Sequence, residues 1–128
     1  EIIWNMPPMG TINLHASLLP QYRGAAPINH AIMNGEKETG VTIFKLKHAI
    51  DTGNILAREK IQIGKNETAG ELYDRMKISG AKLLADTILK MEKNELLEIP
   101  HEKWMYLCNI VRFSQSHPLL WSSQKVSL

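Results

Sequence analysis

The chain has 128 residues, 44% of them apolar and 22% charged, proportions that exclude a disordered or fibrous polymer and fit one soluble globular domain. Lys and Arg outnumber Asp and Glu by 15 to 13, a net charge of +2 that is too small and scattered to argue by itself for a nucleic-acid or membrane surface. No apolar run approaches the roughly 18 residues of a membrane span, and no basic-then-apolar leader opens the chain. The single Cys108 cannot pair internally and points to a reducing, cytoplasmic setting.

In chain order, Pro7 and Pro8 deny helix and ladder bonds and mark a turn. Residues 11–15, Thr-Ile-Asn-Leu-His, alternate polar with apolar and predict a strand with Ile12 and Leu14 on one face and Thr11, Asn13 and His15 on the other. Residues 16–25 have no period and read as a loop. Pro27 suits the first position of a helix over 27–34, and Gly35 suits the left-handed residue that ends it. The β-branched and aromatic run 40–46 predicts a second strand, and 47–54 breaks it. A third strand is expected over 55–63, its mixed polarity fitting an edge or half-exposed position. Thr68 followed by Glu71 has the form of a capping box, opening a long helix over 69–95 with Leu72, Met76, Leu83, Leu84, Ile88 and Met91 on one face. That stripe reads as packing, not chemistry. No period is visible in 101–128, and no internal repeat appears.

Chemistry concentrates between Gly10 and Gly53. Asn13 and His15, two residues apart on a strand, leave it on the same side, near the carboxyl end where open α/β sheets bind ligands. There a carboxamide can donate to a developing oxyanion, and an imidazole can carry a proton or add a second donor. The plainer alternative is that Asn13 satisfies loop backbone and His15 is a hydrogen-bonded core residue. Asp51, in Ile50-Asp51-Thr52-Gly53, either reaches the same crevice and orients the imidazole or makes only a local Asx-turn. His15, His48 and Asp51 name the donor types of a metal site, but without metal-ligand spacing no metal is expected. Ser17, His15 and Asp51 name those of a hydrolytic triad, but no Gly-x-Ser-x-Gly elbow surrounds the serine.

The run Gly10-Thr11-Ile12-Asn13-Leu14-His15-Ala16-Ser17-Leu18-Leu19-Pro20-Gln21-Tyr22-Arg23-Gly24-Ala25-Ala26-Pro27-Ile28, followed by Glu38-Thr39-Gly40-Val41-Thr42 and Ile50-Asp51-Thr52-Gly53-Asn54-Ile55-Leu56, resembles the signature of the folate-dependent formyltransferases. Within that superfamily, Arg23-Gly24-Ala25-Ala26-Pro27 is similar to the branch acting on methionyl-initiator transfer RNA, with the sugar-nucleotide branch and a catalytically dead, formyltransferase-like remnant as alternatives. The resemblance spans residues 1–98. It implies an α/β fold: the carboxy-terminal part of a Rossmann-like catalytic domain, with an incomplete sheet and flanking helices, followed by a divergent tail over 99–128. By position it implies Asn13, His15 and Asp51 as the catalytic trio and Ser17, Leu18, Leu19, Pro20, His48, Ala49 and Ile50 as the folate-side wall. It further implies 10-formyltetrahydrofolate as formyl donor, no metal, methionyl-initiator transfer RNA as acceptor and a monomer. The superfamily places a half built of parallel strands before the residues seen here. Glu1 in place of an initiator Met agrees with a piece of a longer protein, and the chain alone is expected to be inactive, marginally stable and poorly covered around the Asn13 strand.

Overall fold

A computed structural model describes residues 6–47 and 53–100. The element order is β1 (Ile12–His15), α1 (Pro27–Met33), β2 (Glu38–Lys45), β3 (Ile55–Gln62) and α2 (Ala69–Glu92), so each expected element is present within a few residues of its expected bounds. Pro27 occupies the start of α1, as its fixed φ favours, and Gly35 takes φ +65° just beyond the Asn34 cap, a conformation that costs glycine little. The capping box at α2 is complete. Thr68 Oγ1 accepts from the Glu71 amide at 3.3 Å, while Glu71 Oε2 accepts from the Thr68 amide at 2.8 Å.

The three strands lie in the order β1-β2-β3, both pairings antiparallel. Ligand placement at the end of parallel strands therefore does not apply among the described residues. The β2–β3 connection, residues 46–54, is shorter than the dozen or more residues that a parallel crossover needs. Ile43 pairs with Ala57 and Phe44 with Ile55, so Leu56 is the extra residue of a bulge. As the alternation of 55–63 suggests, β3 is an edge strand among the described residues, which meet its outer side only at its start, by an isolated bridge from Ile99 to Ile55.

Burial follows strand alternation. Val41, on one face of β2, packs with Ile61, Leu72 and Met76 beneath the two helices, joined by Leu14, Ile28, Ile32 and Leu83. Phe44, on the opposite face, packs with Leu19 and Ile55. Loop 16–26 therefore covers the side of the sheet that the helices leave open. The central strand is buried on both faces, with Val41, Thr42, Ile43 and Phe44 all at 0% exposure. On β1, the other edge of the sheet among the described residues, the cover is thinner: Asn13 is exposed, and Ile12 and Leu14 are half-buried.

In α2 the inward line is Leu72, Met76, Gly80 and Thr87, with Leu83 half-buried beside them. Ile88 does not join it and is 43% exposed. At about 100° per residue, Thr87 already fills the inward position at that turn, and it satisfies its hydroxyl by donating to Leu83 O at 2.6 Å.

Candidate active site

Cross-strand register decides which face the polar pair occupies. Asn13 stands opposite Phe44, and His15 stands opposite Thr42. Directly paired residues share a face, so Asn13 and His15 lie on the loop side of the sheet, away from the helices. Their environments differ: Asn13 is exposed, whereas His15 is 7% exposed.

The His15 ring is held at both ends. Nδ1 lies 3.0 Å from Ser17 Oγ, and Nε2 lies 3.2 Å from Gly24 O. The Ser17 hydroxyl in turn donates to Gln21 O at 2.6 Å. All of these partners come from one loop folded back over its own strand. Left-handed φ values at Tyr22 (52°), Gly24 (94°) and Ala26 (51°) turn that loop sharply enough to bring the Gly24 carbonyl to the ring.

Two further attachments fix the loop. On the inside, Thr42 Oγ1 donates to Ser17 O at 2.6 Å and accepts from the Leu19 amide at 3.1 Å, while the Leu19 side chain is fully buried against Phe44 and Ile55. On the outside, Tyr22 stacks on His30 with ring centroids 6.3 Å apart and donates its hydroxyl hydrogen to Glu36 Oε1 at 2.6 Å. Asn34 Nδ2 donates to the same phenol oxygen at 3.0 Å. The bond to the Glu36 carboxylate pushes the Tyr22 phenol above its ordinary pKa, because losing that proton would set two anions face to face.

Ser17, Leu18 and Leu19 are at 0%, 6% and 0% exposure, and Pro20 is half-buried. Their side chains form the support beneath the polar pair. His48, Ala49, Ile50 and Asp51 lie outside the described residues, but both ends of the segment that carries them are fastened. Lys45 N donates to Asn54 O at 2.9 Å and Lys47 Nζ to Asn54 Oδ1 at 3.1 Å. Asn54 Nδ2 reaches Glu98 Oε2 at 3.1 Å, and Lys45 pairs with the other Glu98 oxygen. The Lys45 ammonium, aided by Asn54, holds the Glu98 carboxyl below its ordinary pKa. Among the described residues no group of His, Cys, Asp and Glu is arranged to hold a metal ion, and no helix is long and apolar enough to cross a membrane.

Reading motifs along the chain does not single out Thr42, the Tyr22–Glu36 bond or Glu98. A threonine set between Val41 and the Ile43-Phe44 pair in the middle of a strand is the one local signal that could have pointed to the first.

The arrangement can present a carboxamide donor and an imidazole to one small carbonyl compound. Residues 1–88 match the profile described as formyl transferase. The chain is 59% identical over 101 residues to a methionyl-tRNA formyltransferase from Porphyromonas gingivalis, an overlap of 79% of this chain and 31% of that one. Thus it spans about a third of the length of the curated relatives it matches. An N-formyltransferase from Helicobacter canadensis, crystallised with folinic acid and dTDP-3-aminofucose, superposes with a TM-score of 0.66 and 34% identity over 70% of this chain and 33% of its own. A phosphoribosylglycinamide formyltransferase from Bacillus halodurans superposes with a TM-score of 0.61 and 35% identity over 62% of this chain and 41% of its own.

Proposed function

Because the chain belongs to the formyl transferase family, we propose that it carries the reacting side chains of an enzyme that transfers a formyl group from 10-formyltetrahydrofolate to the α-amine of methionyl-initiator transfer RNA. The observation that carries this reading is the 59% identity over 101 residues to the Porphyromonas gingivalis enzyme, beside a family match over residues 1–88 that includes the pinned His15 and the exposed Asn13. The folate co-substrate supplies a formyl carbon already activated by its ring-linked nitrogen. The residues present fit such a group: an open carboxamide beside an anchored imidazole suits a carbonyl oxygen that gains charge as an amine adds.

In this reading Asn13 donates to that oxygen, and His15 removes the amine's proton at Nε2, the nitrogen facing Gly24. Asp51 would orient the imidazole or a relaying water. Ser17, Leu18, Leu19 and Pro20 would shape the folate side from beneath, with His48, Ala49 and Ile50 contributing from the neighbouring segment. Domain limits at 1–98 and 99–128, a monomeric state and a cytoplasmic location belong to the same proposal.

The test is a chimaera in which residues 1–98 replace the matching segment of the Porphyromonas gingivalis enzyme. Formylation of methionyl-tRNA is expected, with His15→Ala and Asn13→Ala each lowering the rate on the order of 100-fold. Full activity of the His15→Ala chimaera would refute the assignment. A sugar-nucleotide acceptor is the second reading, favoured by the 34% identity to the Helicobacter canadensis structure. Placing the same segment in that host separates the two, because activity there and none in the transfer-RNA host favours the sugar.

A further inference from the structure

Residues 21–26 carry the Gly24 carbonyl to His15, yet they have little burial to hold them: Tyr22 is half-buried and the other five are exposed. The same stretch is strained. Tyr22 and Ala26 take left-handed φ values of 52° and 51°, which crowd a Cβ against its own backbone. Such a conformation persists only where surrounding contacts hold it in place. The Tyr22 side chain supplies such contacts. Its hydroxyl donates to Glu36 Oε1 at 2.6 Å and accepts from Asn34 Nδ2 at 3.0 Å, and its ring lies parallel to that of His30.

The seat of the phenol is itself fastened. Asn34 and Glu36 follow α1, whose end is closed by Gly35 N donating to Ile32 O and Glu36 N donating to Ala31 O, each at 3.0 Å. Ala31 is fully buried, and Ile28 and Ile32 pack into the cluster around Val41, on the face of the sheet opposite His15. Tyr22 thereby joins the site loop to the layer behind the sheet. We propose that Tyr22 is a positioning residue: its phenol, clasped by Glu36 and Asn34, holds the strained turn that sets the Gly24 carbonyl 3.2 Å from His15 Nε2. Without the clasp the turn relaxes toward ordinary backbone, and the imidazole loses a support at that edge. A reacting group misplaced by about 1 Å loses much of its effect, so Tyr22 needs no contact with substrate to matter. The link to catalysis rests on the formyl-transfer reading; the clasp itself does not.

The test uses the chimaera with the transfer-RNA host. Tyr22→Phe removes the hydroxyl and keeps the ring, Glu36→Ala removes the acceptor, and Glu36→Gln leaves a neutral one. Glu36 is exposed, so substitution there does not threaten the fold. Amide exchange over residues 22–26 should quicken about 3- to 10-fold in Tyr22→Phe and Glu36→Ala. In both, kcat should fall by a similar factor with KM for the folate unchanged. Glu36→Gln should recover part of each loss, since a neutral acceptor bonds about half as strongly as a carboxylate. The Tyr22→Phe, Glu36→Ala double variant should be no worse than Tyr22→Phe alone, because both changes break the same bond. Unchanged exchange, or losses that add in the double variant, overturns the proposal. Faster exchange with an unchanged kcat overturns it as well, and a raised KM at constant kcat overturns it by making Tyr22 a binding residue. A chimaera inactive on either acceptor refutes the formyl-transfer reading, and exchange alone then decides the clasp.

Discussion

Thr42→Val is the substitution whose cost the structure fixes most directly, because it exchanges a hydroxyl for a methyl of the same shape. The hydroxyl makes two buried bonds, donating to Ser17 O at 2.6 Å and accepting from the Leu19 amide at 3.1 Å. Thr42, Ser17 and Leu19 are all at 0% exposure, so water cannot replace the lost partner. Each orphaned backbone group costs about 1–3 kcal/mol; after a small gain from the added methyl, the net loss is about 2–4 kcal/mol. With a urea slope of roughly 1.5 kcal/mol per M, the unfolding midpoint falls by about 2 M. Thr42→Ser keeps both bonds and loses one buried methyl, worth about 1 kcal/mol. The assay is equilibrium urea unfolding of the three chains, with amide exchange at Leu19 as a local readout. A valine midpoint within about 0.3 M of the unsubstituted chain would refute the view that Thr42 ties the site loop to the sheet.

Two other substitutions probe neighbouring supports. The Glu98 carboxyl is held below its ordinary pKa by Lys45 and Asn54, so the unfolded chain binds its proton more readily than the folded one. The stabilisation is complete above the ordinary value of 4.5 and is lost as pH falls through the lower folded value. Glu98→Gln should remove that part of the acid dependence, about 0.3–1 kcal/mol for a partly exposed pair. Urea midpoints at neutral pH and near pH 3 check it, and identical acid losses in both chains would contradict it. For Gly40→Ala, the new Cβ would stand 2.1 Å from Glu59 O and 2.5 Å from Leu18 Cδ2. The carbonyl belongs to the paired strand and cannot retreat without disturbing the pairing, so a loss of about 1–3 kcal/mol is expected. An unchanged thermal midpoint would show that the sheet yields there at no cost.

Much of the fold was legible in the residues because its signals are local. Pro27 and Gly35 bracket α1, Thr68 and Glu71 open α2, and the composition of 40–46 lies within β2 and the residue that follows it. Ile88 shows where periodicity falls short: a stripe several residues wide does not reveal which member lies nearest the sheet, and Thr87 took the place. Direction was not carried by alternation either. Alternation says that a strand exists, but only the short 46–54 connection and the ladder bonds make the β2–β3 pair antiparallel.

The sequence alone determined that Asn13 and His15 project from one side of a strand, since side chains alternate with a period of two wherever a strand forms. Only the tertiary structure decided which side that is, through the pairing of His15 with Thr42, and which atoms hold the imidazole. Ser17, Gln21 and Gly24 reach it, directly or through one another, because the loop folds back under a tether from Thr42, 25 residues from Ser17 along the chain. Such a contact depends on where two separate segments meet in space, and neither propensity nor spacing within one segment encodes that.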